Sequence, residues 1–370
     1  MVPVNESPGP ASPTGGLVVG VDSGGSGLRI SLAEAATGVV LGTHVSREPV
    51  RTGPGGISAR HFLAQVLPAV QALTAPHGAR PVVAAAVGAA GMATLGDELR
   101  AELPRAFAEA WGAGRLALAA DAVTAYAGAL GQRPGVVVAG GTGMIALGTD
   151  LTAWRRADGW GHLLGDCGSG AWIGRAGLEA ATRAYDGRRG GSTALLARAE
   201  KLFGPAAGLP GVLYPRTDRP AVLASFAPEV GRCAAEDPVA ADILTRAAGH
   251  IADAAEAACP AGPGAPVALT GGLFKMGDAL LVPLRAALGE RIPHARAVDP
   301  AGDPAAGAVA LAAALATGTL RLPEDPSLLR LFDGVAPSAP EASAQVGGGV
   351  RAPGGGRGHN QVGHTGTEGA

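Results

Sequence analysis

Two short glycine-rich turns have the composition of phosphate-binding loops. The first reads Gly24-Gly25-Ser26-Gly27 and the second reads Gly140-Gly141-Thr142-Gly143, and each lies between two apolar runs of strand-like sequence. Because glycine has no side chain, the backbone N–H groups of such a turn can reach phosphate oxygens, and the Ser26 and Thr142 hydroxyls add donors. Either turn alone is equally consistent with a tight hairpin. The occurrence of both favours phosphate binding.

Asp22 stands at the end of the apolar run that leads into the first turn. A carboxylate at the end of a buried strand is costly unless it has a partner. Near a triphosphate, the natural partner is Mg²⁺, held directly or through water. The alternative is a carboxylate that accepts hydrogen bonds from turn N–H groups, as Asp often does. We therefore expect Asp22 to hold Mg²⁺.

Asp121 lies between the predicted strand Leu116–Ala120 and the helix that follows it. One interpretation is a helix N-cap, because Asp satisfies free N–H groups there. The other is a general base that orients and deprotonates a hydroxyl nucleophile. The local sequence alone favours the cap.

Residues 158–175 read DGWGHLLGDCGSGAWIGR, which is too rich in glycine and polar residues for simple core. Gly159, Trp160 and Asp166 are candidates to bind a sugar, because an indole offers an apolar face and a carboxylate accepts hydrogen bonds from hydroxyls. A helix predicted over 171–185 follows, and its N-terminus would favour an anion.

Gly271 and Gly272 follow the predicted strand 267–270. Two glycines at this place permit the close approach of a flat ligand such as adenine. Any tight strand-to-helix connection would have the same sequence, so this signal is weak by itself.

Alternating strands and helices must position these candidates. Hydrophobic periodicity predicts the order β-β-β-α-β-α-β-α over residues 17–133, with an amphipathic helix over 58–74. The strand–turn–strand opening recurs at residue 136, which indicates two similar domains that face each other. The last predicted helix, residues 304–317, is apolar on most faces and is expected to be buried. Residues 1–16 and 336–370 are rich in Gly, Pro and Ser and are predicted to be disordered.

Composition excludes several classes of protein. The chain has 370 residues, 47% of them hydrophobic, which is enough for two domains. Its 29 basic and 31 acidic residues give a net charge of −2, without the positive field that nucleic-acid binding needs. Apolar runs are shorter than the roughly 18–20 residues of a membrane span, and the N-terminus does not resemble a signal peptide. Cys167, Cys233 and Cys259 form no CxxC pair, which argues against disulfides, zinc or an iron–sulfur cluster. We expect a cytoplasmic protein.

Four segments of the chain resemble motifs of the N-acetylglucosamine kinase and BadF/BadG/BcrA/BcrD-type ATPase family. That family is part of the sugar kinase, actin and heat-shock chaperone superfamily. GVDSGGSGLR resembles its first phosphate motif, AGGTGMIALG its second and LTGGLFK its adenosine motif. DGWGHLLGDCGSGAWIGR resembles its sugar-side segment and is the most specific match. The resemblance covers residues 17–320. The family's catalytic base corresponds to Asp121 in ADAVTAYAGAL, so the resemblance reverses the local preference for a cap.

The resemblance implies an α/β fold in which two ribonuclease-H-like, actin-like ATPase domains flank a cleft for ATP and sugar. The implied domains are residues 17–133, joined by a return helix at about 304–320, and residues 134–303. The implied reaction moves the ATP γ-phosphoryl group to the 6-hydroxyl of an amino sugar, with N-acetylglucosamine the expected acceptor. Asp121 would deprotonate that hydroxyl and Asp22 would hold Mg²⁺. A homodimer is common in the family.

Three departures from the family pattern concern the cation and the sugar. Ser26 and Gly27 stand where the family has Thr and Lys, so a cation is lost. Cys167 replaces the Glu of an Asp-Glu-Gly-Ser segment, and residues 47–56 lack an Asn that the family uses for the sugar.

Three alternatives to N-acetylglucosamine phosphorylation stay open. One is another acceptor: glucosamine, N-acetylmuramic acid or a different hexose. A second is an ATPase that activates a dehydratase, although its iron–sulfur cluster would need cysteines of suitable spacing. The third is a sugar-sensing paralogue that does not catalyse.

Overall fold

The chain folds around two main β-sheets, seen in a computed structural model that describes residues 15–25, 27–53 and 55–334. The first sheet has six strands in the order β13-β7-β6-β1-β2-β3. Its strands are β1 (Leu17–Gly24), β2 (Gly27–Glu34), β3 (Val40–Ser46), β6 (Val82–Ala89), β7 (Arg115–Ala120) and β13 (Leu329–Asp333). A separate small hairpin pairs β4 (Thr52–Gly53) with β5 (Gly56–Ile57).

The second sheet has five strands in the order β10-β9-β8-β11-β12. They are β8 (Gly135–Gly140), β9 (Met144–Thr149), β10 (Trp154–Asp158), β11 (Ala265–Thr270) and β12 (Ala295–Val298). Both sheets begin with three antiparallel strands, and parallel strands then add to the first strand of that meander. The recurrence predicted from the two glycine-rich turns is therefore confirmed at the level of strand order.

Eleven α-helices connect and cover the described strands. They are α1 (Ala59–Thr74), α2 (Met92–Leu95), α3 (Asp97–Trp111), α4 (Asp121–Leu130), α5 (Gly170–Tyr185), α6 (Thr193–Phe203), α7 (Leu209–Leu213), α8 (Arg219–Cys233), α9 (Pro238–Ala258), α10 (Asp278–Arg291) and α11 (Pro304–Thr317). Among the described residues, no helix has the length and apolar character needed to cross a membrane.

Strand β1 is buried along most of its length because it is central in the first sheet and covered on both faces. Helix α11 packs on β1, β6 and α4 of the first part of the chain; its assignment as the return helix of the first domain stays a prediction. The first hydrophobic core also includes Val137, Leu147 and Ala268 of the second sheet. The domain boundary at residue 133 stays a prediction. The disorder predicted for 336–370, and for all but residues 15 and 16 of the N-terminal tail, lies outside the described residues.

Helices α4 and α11 cross with their backbones in contact. A β-carbon at Gly307 would lie 1.9 Å from the carbonyl oxygen of Thr124, and one at Gly128 would lie 2.1 Å from that of Asp303. Only glycine permits so short an approach. The crossing fixes the N-terminal ends of α4 and α11 relative to each other, and those ends carry Asp121 and Asp303.

We expect Gly307→Ala to lower the free energy of unfolding by about 2 kcal/mol or more, because the new methyl group overlaps backbone that cannot rotate away. Gly249→Ala in α9 is the matched control, since its β-carbon would meet no heavy atom within 4 Å. That variant should gain up to about 1 kcal/mol from helix propensity. Urea denaturation measures both, and equal stability of the two variants would contradict the packing described here.

Candidate active site

A cleft of about 1220 Å³ opens between the glycine-rich ends of the two sheets. Most of the residues singled out in the sequence line it: Asp22, Gly24, Gly25, Asp121, Gly141, Thr142, Gly143, Gly159, Asp166, Gly271 and Gly272. Ser26 lies outside the described residues. Gly27 and Trp160 are described but are not part of the lining.

The first turn closes the β1–β2 hairpin, in which Gly24 pairs with Gly27. Gly27 has a φ of +123°, and a β-carbon there would lie 2.0 Å from the carbonyl oxygen of Ser46. Neither the backbone conformation nor the space permits a side chain at this position. The close approach of β3 therefore leaves no room for a Lys side chain at residue 27.

The second turn is held in place by the start of α5. The N–H groups of Gly170 and Ala171 donate to the carbonyl oxygens of Gly141 (2.9 Å) and Thr142 (3.0 Å). The Ser169 hydroxyl accepts from the Trp172 N–H at 3.2 Å and caps the helix. The first donors of α5 are thus occupied within the chain, so this helix end anchors the turn instead of providing the anion site expected from the sequence.

The turn at Gly271 and Gly272, the third turn of the cleft, packs directly on the second. Gly271 has a φ of +105°, and a β-carbon there would lie 2.2 Å from the carbonyl oxygen of Gly140. Gly272 begins a short 3₁₀ helix that ends at Met276 and places Lys275 in the cleft lining. The parallel pairing of β11 with β8 brings the two turns to the same edge of the sheet.

Asp22 lies on β1 directly opposite Arg29 on β2. The Asp22 side chain is 15% exposed, and its carboxylate lies 3.7 Å from the Arg29 guanidinium. Burial raises the pKa of Asp22 to about 6; Arg29 opposes that rise, and the charges of Asp121 and Asp303 add to it. A carboxylate with so little hydration gains strongly from a divalent cation.

Asp121 is the first residue of α4, and Ala120 takes the N-cap position. Its Oδ1 accepts a hydrogen bond from the N–H of the next residue, Ala122, at 2.9 Å. The N-cap interpretation is therefore wrong, and the carboxylate is open to the cleft. The surrounding walls still remove much of its hydration, so desolvation raises the pKa of Asp121 above its ordinary value.

Asp166 is buried, and its Oδ1 accepts a hydrogen bond from the Gly161 N–H at 3.1 Å. Asp158 folds the segment by accepting the N–H groups of Asp166 (2.6 Å) and Cys167 (2.9 Å) on its two carboxylate oxygens. Both aspartates have a positive φ, 60° for Asp158 and 53° for Asp166, in keeping with a strained binding loop. Burial raises the pKa of Asp166.

Trp160 lies between Gly159 and Gly161, which line the cleft, but Trp160 itself is 66% exposed. The Arg156 guanidinium lies 4.6 Å from the centroid of its ring. The structure thus places Trp160 against Arg156 and not in the cleft lining, and its contact with a sugar stays a prediction.

Four charged residues of the cleft were missed by sequence reasoning: Arg29, Asp218, Lys275 and Asp303. The place of Arg29 follows from the register of the β1–β2 hairpin, because the side chains of directly opposite residues, here Asp22 and Arg29, lie on the same face of the sheet. Lys275 stands inside the adenosine motif, where only the glycines drew attention. Asp303 precedes Pro304, which is a helix-start signal with no hint of the cleft.

The residues present fit Mg²⁺ bound together with phosphate. Among residues 15–25, 27–53 and 55–334, no group of three or more His, Cys, Asp or Glu side chains is arranged to hold a metal ion. Mg²⁺ is usually held by one or two carboxylates, with substrate phosphates and water completing the shell. Asp22, largely buried beside the first turn, provides such a carboxylate.

Comparison with known proteins gives one family and several structural relatives. The model of the BadF/BadG/BcrA/BcrD ATPase family matches residues 19–312. A candidate N-acetylglucosamine kinase from Chromobacterium violaceum is 32% identical in sequence, with a TM-score of 0.62 over 79% of this chain and 97% of that one. A second, from Porphyromonas gingivalis, is 17% identical with a TM-score of 0.56 over 80% and 97% of the two chains, which shows a shared fold.

A curated relative matches over a shorter segment. The N-acetylmuramic acid/N-acetylglucosamine kinase of Clostridium acetobutylicum is 40% identical over 83 residues. That segment is 22% of this chain and 27% of the curated protein, so the match spans about a quarter of that relative.

Proposed function

This chain belongs to the BadF/BadG/BcrA/BcrD ATPase family, and we propose that it is an ATP-dependent kinase that phosphorylates the 6-hydroxyl of an amino sugar. The observation that carries the proposal is the meeting of three glycine turns with Asp22, Asp121 and Asp166 in one cleft. The similarity to candidate N-acetylglucosamine kinases supports N-acetylglucosamine as the acceptor.

The triphosphate of ATP is assigned to the two hairpin turns, Gly24–Gly25 and Gly141–Gly143. The adenosine is assigned to Gly271 and Gly272, where side chains are absent and the third turn meets the second. Asp166 lies under the second turn, because a β-carbon at Gly143 would be 2.6 Å from its Oδ2. The assigned phosphate and sugar sites are therefore adjacent, as in-line transfer requires.

In this proposal, a carboxylate oxygen of Asp121 accepts the proton of the sugar 6-hydroxyl. The hydroxyl oxygen forms a bond to the γ-phosphorus while the bond to the β,γ-bridging oxygen breaks, and ADP leaves with that electron pair. Mg²⁺ held by Asp22 would neutralise charge on the phosphates. Asp166 orients the sugar by accepting hydrogen bonds from its other hydroxyls, and the turn N–H groups hold the phosphates. Positioning and charge neutralisation supply most of the rate.

The product identifies both the acceptor and the position of transfer. We expect ADP release with Mg-ATP and N-acetylglucosamine, and a product whose phosphorus NMR signal couples to the protons on carbon 6. The 6-deoxy sugar is the control and should give no turnover. The same assay with glucosamine, N-acetylmuramic acid and glucose ranks the acceptors. Faster turnover with one of these sugars would make it the preferred acceptor in place of N-acetylglucosamine and would still support a kinase. Phosphate on another hydroxyl would contradict the position proposed for Asp121.

Activity is expected to fall as the pH is lowered towards and through the pKa of Asp121. The carboxylate must be ionised to accept a proton, and desolvation by the cleft walls raises its pKa, so the acid limb should lie above the ordinary Asp range near 4. The pKa of Asp22 is also raised, to about 6, so the pH dependence of kcat/KM for ATP should report two coupled carboxyl groups. A pH profile of kcat/KM checks this. Full activity at pH 4.5 would contradict it.

The remaining parts of the proposal concern partners and location. The partner is a small-molecule sugar, as for the sugar kinases to which the chain is similar. A cytoplasmic location agrees with the use of ATP as donor. The homodimer expected from the family stays a prediction, which the molecular mass in solution tests.

A further inference from the structure

Arg29 stands between two carboxylates at the phosphate end of the cleft. Its Nη1 donates to the Oδ2 of Asp303 at 2.6 Å, whereas its Nη2 lies 3.7 Å from the Oδ2 of Asp22. The first distance is that of a charge-assisted hydrogen bond and the second is too long for one. In this arrangement, Arg29 forms its hydrogen-bonded ion pair with Asp303 and lies near Asp22 without a hydrogen bond to it.

Asp303 has two anchors besides Arg29, so it can determine where the guanidinium lies. Its Oδ1 accepts the Ala306 N–H at 2.9 Å as the N-cap of α11, which leaves Oδ2 for Arg29. Its backbone carbonyl packs against Gly128 of α4, where a β-carbon would be 2.1 Å away. The helix crossing that places Asp121 at the cleft therefore places Asp303 as well.

Asp22 is the cross-strand neighbour of Arg29 and the other carboxylate within reach of its guanidinium. Without the charge of Asp303, the guanidinium would be drawn to Asp22, since an arginine–carboxylate pair is readily bidentate. Such a pair would occupy the oxygens assigned to the metal. Asp121, whose charge acts on Asp22, would reinforce the attraction of Arg29 into the site.

We propose that Asp303 is a positioning residue that holds Arg29 off Asp22 and so keeps the Asp22 carboxylate available to the divalent cation that accompanies the nucleotide. This inference rests on the proposed function, because it takes Asp22 as the Mg²⁺ ligand. Held by Asp303, the Arg29 guanidinium provides positive charge beside the first turn, where residue 27 has no room for a cationic side chain.

The test is Asp303→Asn, which removes the charge and keeps the helix cap, because Asn caps as well as Asp. The binding of AMP-PNP, a non-hydrolysable ATP analogue, is measured by calorimetry over a series of Mg²⁺ concentrations. We expect the Mg²⁺ concentration for half-maximal binding to rise about fivefold, the upper range for a competing ion pair whose arginine side chain is 44% exposed. Asp242→Asn is the matched control: it also breaks an Asp–Arg pair, with Arg246 on α9, and should match wild type.

The double variant Arg29→Gln with Asp303→Asn decides whether Asp303 acts through Arg29. In the Arg29→Gln background, Asp303→Asn should change the Mg²⁺ requirement by less than about twofold. If Asp303→Asn raises the Mg²⁺ requirement as much in the Arg29→Gln background as in the wild type, the inference is overturned. It is also overturned if Asp303→Asn alone behaves like Asp242→Asn, or if AMP-PNP binding to the wild type does not depend on Mg²⁺. Mg²⁺-dependent binding without sugar-dependent ADP release would refute the kinase and leave the positioning role intact.

Discussion

Replacing Asp121 with Asn should lower kcat for sugar phosphorylation by about 10²–10⁴-fold, the usual contribution of a general base. The two side chains have the same shape, and the Asn oxygen can still accept the Ala122 N–H that Asp121 accepts at 2.9 Å. What is lost is the ability to take the proton of the acceptor hydroxyl. Because the phosphate turns are untouched, the affinity for AMP-PNP should stay within about threefold of wild type.

Asp97 provides the matched control for that variant. It is the first residue of α3, as Asp121 is of α4, but its side chain is 96% exposed and pairs with Arg100 outside the cleft. Asp97→Asn should therefore leave kcat unchanged. ADP release measures both variants, and calorimetry with AMP-PNP measures binding. An Asp121→Asn enzyme that keeps a tenth or more of wild-type kcat would remove Asp121 from the role of base.

Gly271→Ala should both destabilise the protein and weaken ATP binding. Alanine is strained at a φ of +105°, and its methyl group would lie 2.2 Å from the Gly140 carbonyl oxygen. We expect a loss of about 2 kcal/mol in the free energy of unfolding. Relief of the overlap would push the third turn away from the second. The displaced turn would lose contacts to the adenosine that are equal in the ground state and the transition state, so KM for ATP should rise about tenfold.

Gly272→Ala tests whether the effect belongs to the contact between turns or to any added methyl group. A β-carbon at Gly272 would meet no heavy atom within 4 Å, although the residue lines the same cleft. Its thermal and urea stability should match wild type. Equal losses of stability at Gly271 and Gly272 would contradict the packing of the third turn on the second.

The helices with strong local signals were predictable from sequence. The bounds of α11 agree with the prediction residue for residue, because Pro304 marks its start and Gly318 follows its last residue. Helix α1 begins one residue later than predicted, since Ser58 is its N-cap. The two glycine turns lie between antiparallel strands as predicted. Short apolar runs beside glycine are strong strand signals, and both hairpins follow from them.

Elements with weak local patterns were not predicted. Strand β10 (WRRAD) is a polar edge strand of the second sheet, so it lacks the apolar alternation that marks a half-buried strand. Strand β13 pairs antiparallel with β7, far away in sequence, and only the folded chain brings them together. Propensity does not encode such long-range partners.

Within the site, sequence reasoning found single residues better than pairs. Asp22 and Asp166 line the cleft as expected, yet their neighbours were not predicted: the Arg29 guanidinium lies 3.7 Å from the Asp22 carboxylate, and Asp158 accepts the Asp166 backbone N–H. Those contacts depend on hairpin register and on backbone conformations that an isolated sequence does not show. Asp121 is the clearest case: its local sequence favours a cap, and only the start of α4 at that residue frees the carboxylate.

The most direct test of the central claim is the rate of ADP release from Mg-ATP with N-acetylglucosamine, set against a blank without sugar. We expect turnover that requires the sugar, since Asp121 acts only on an acceptor hydroxyl held in the cleft. Equal rates with and without every amino sugar would contradict it and would show an ATPase whose hydrolysis serves another purpose.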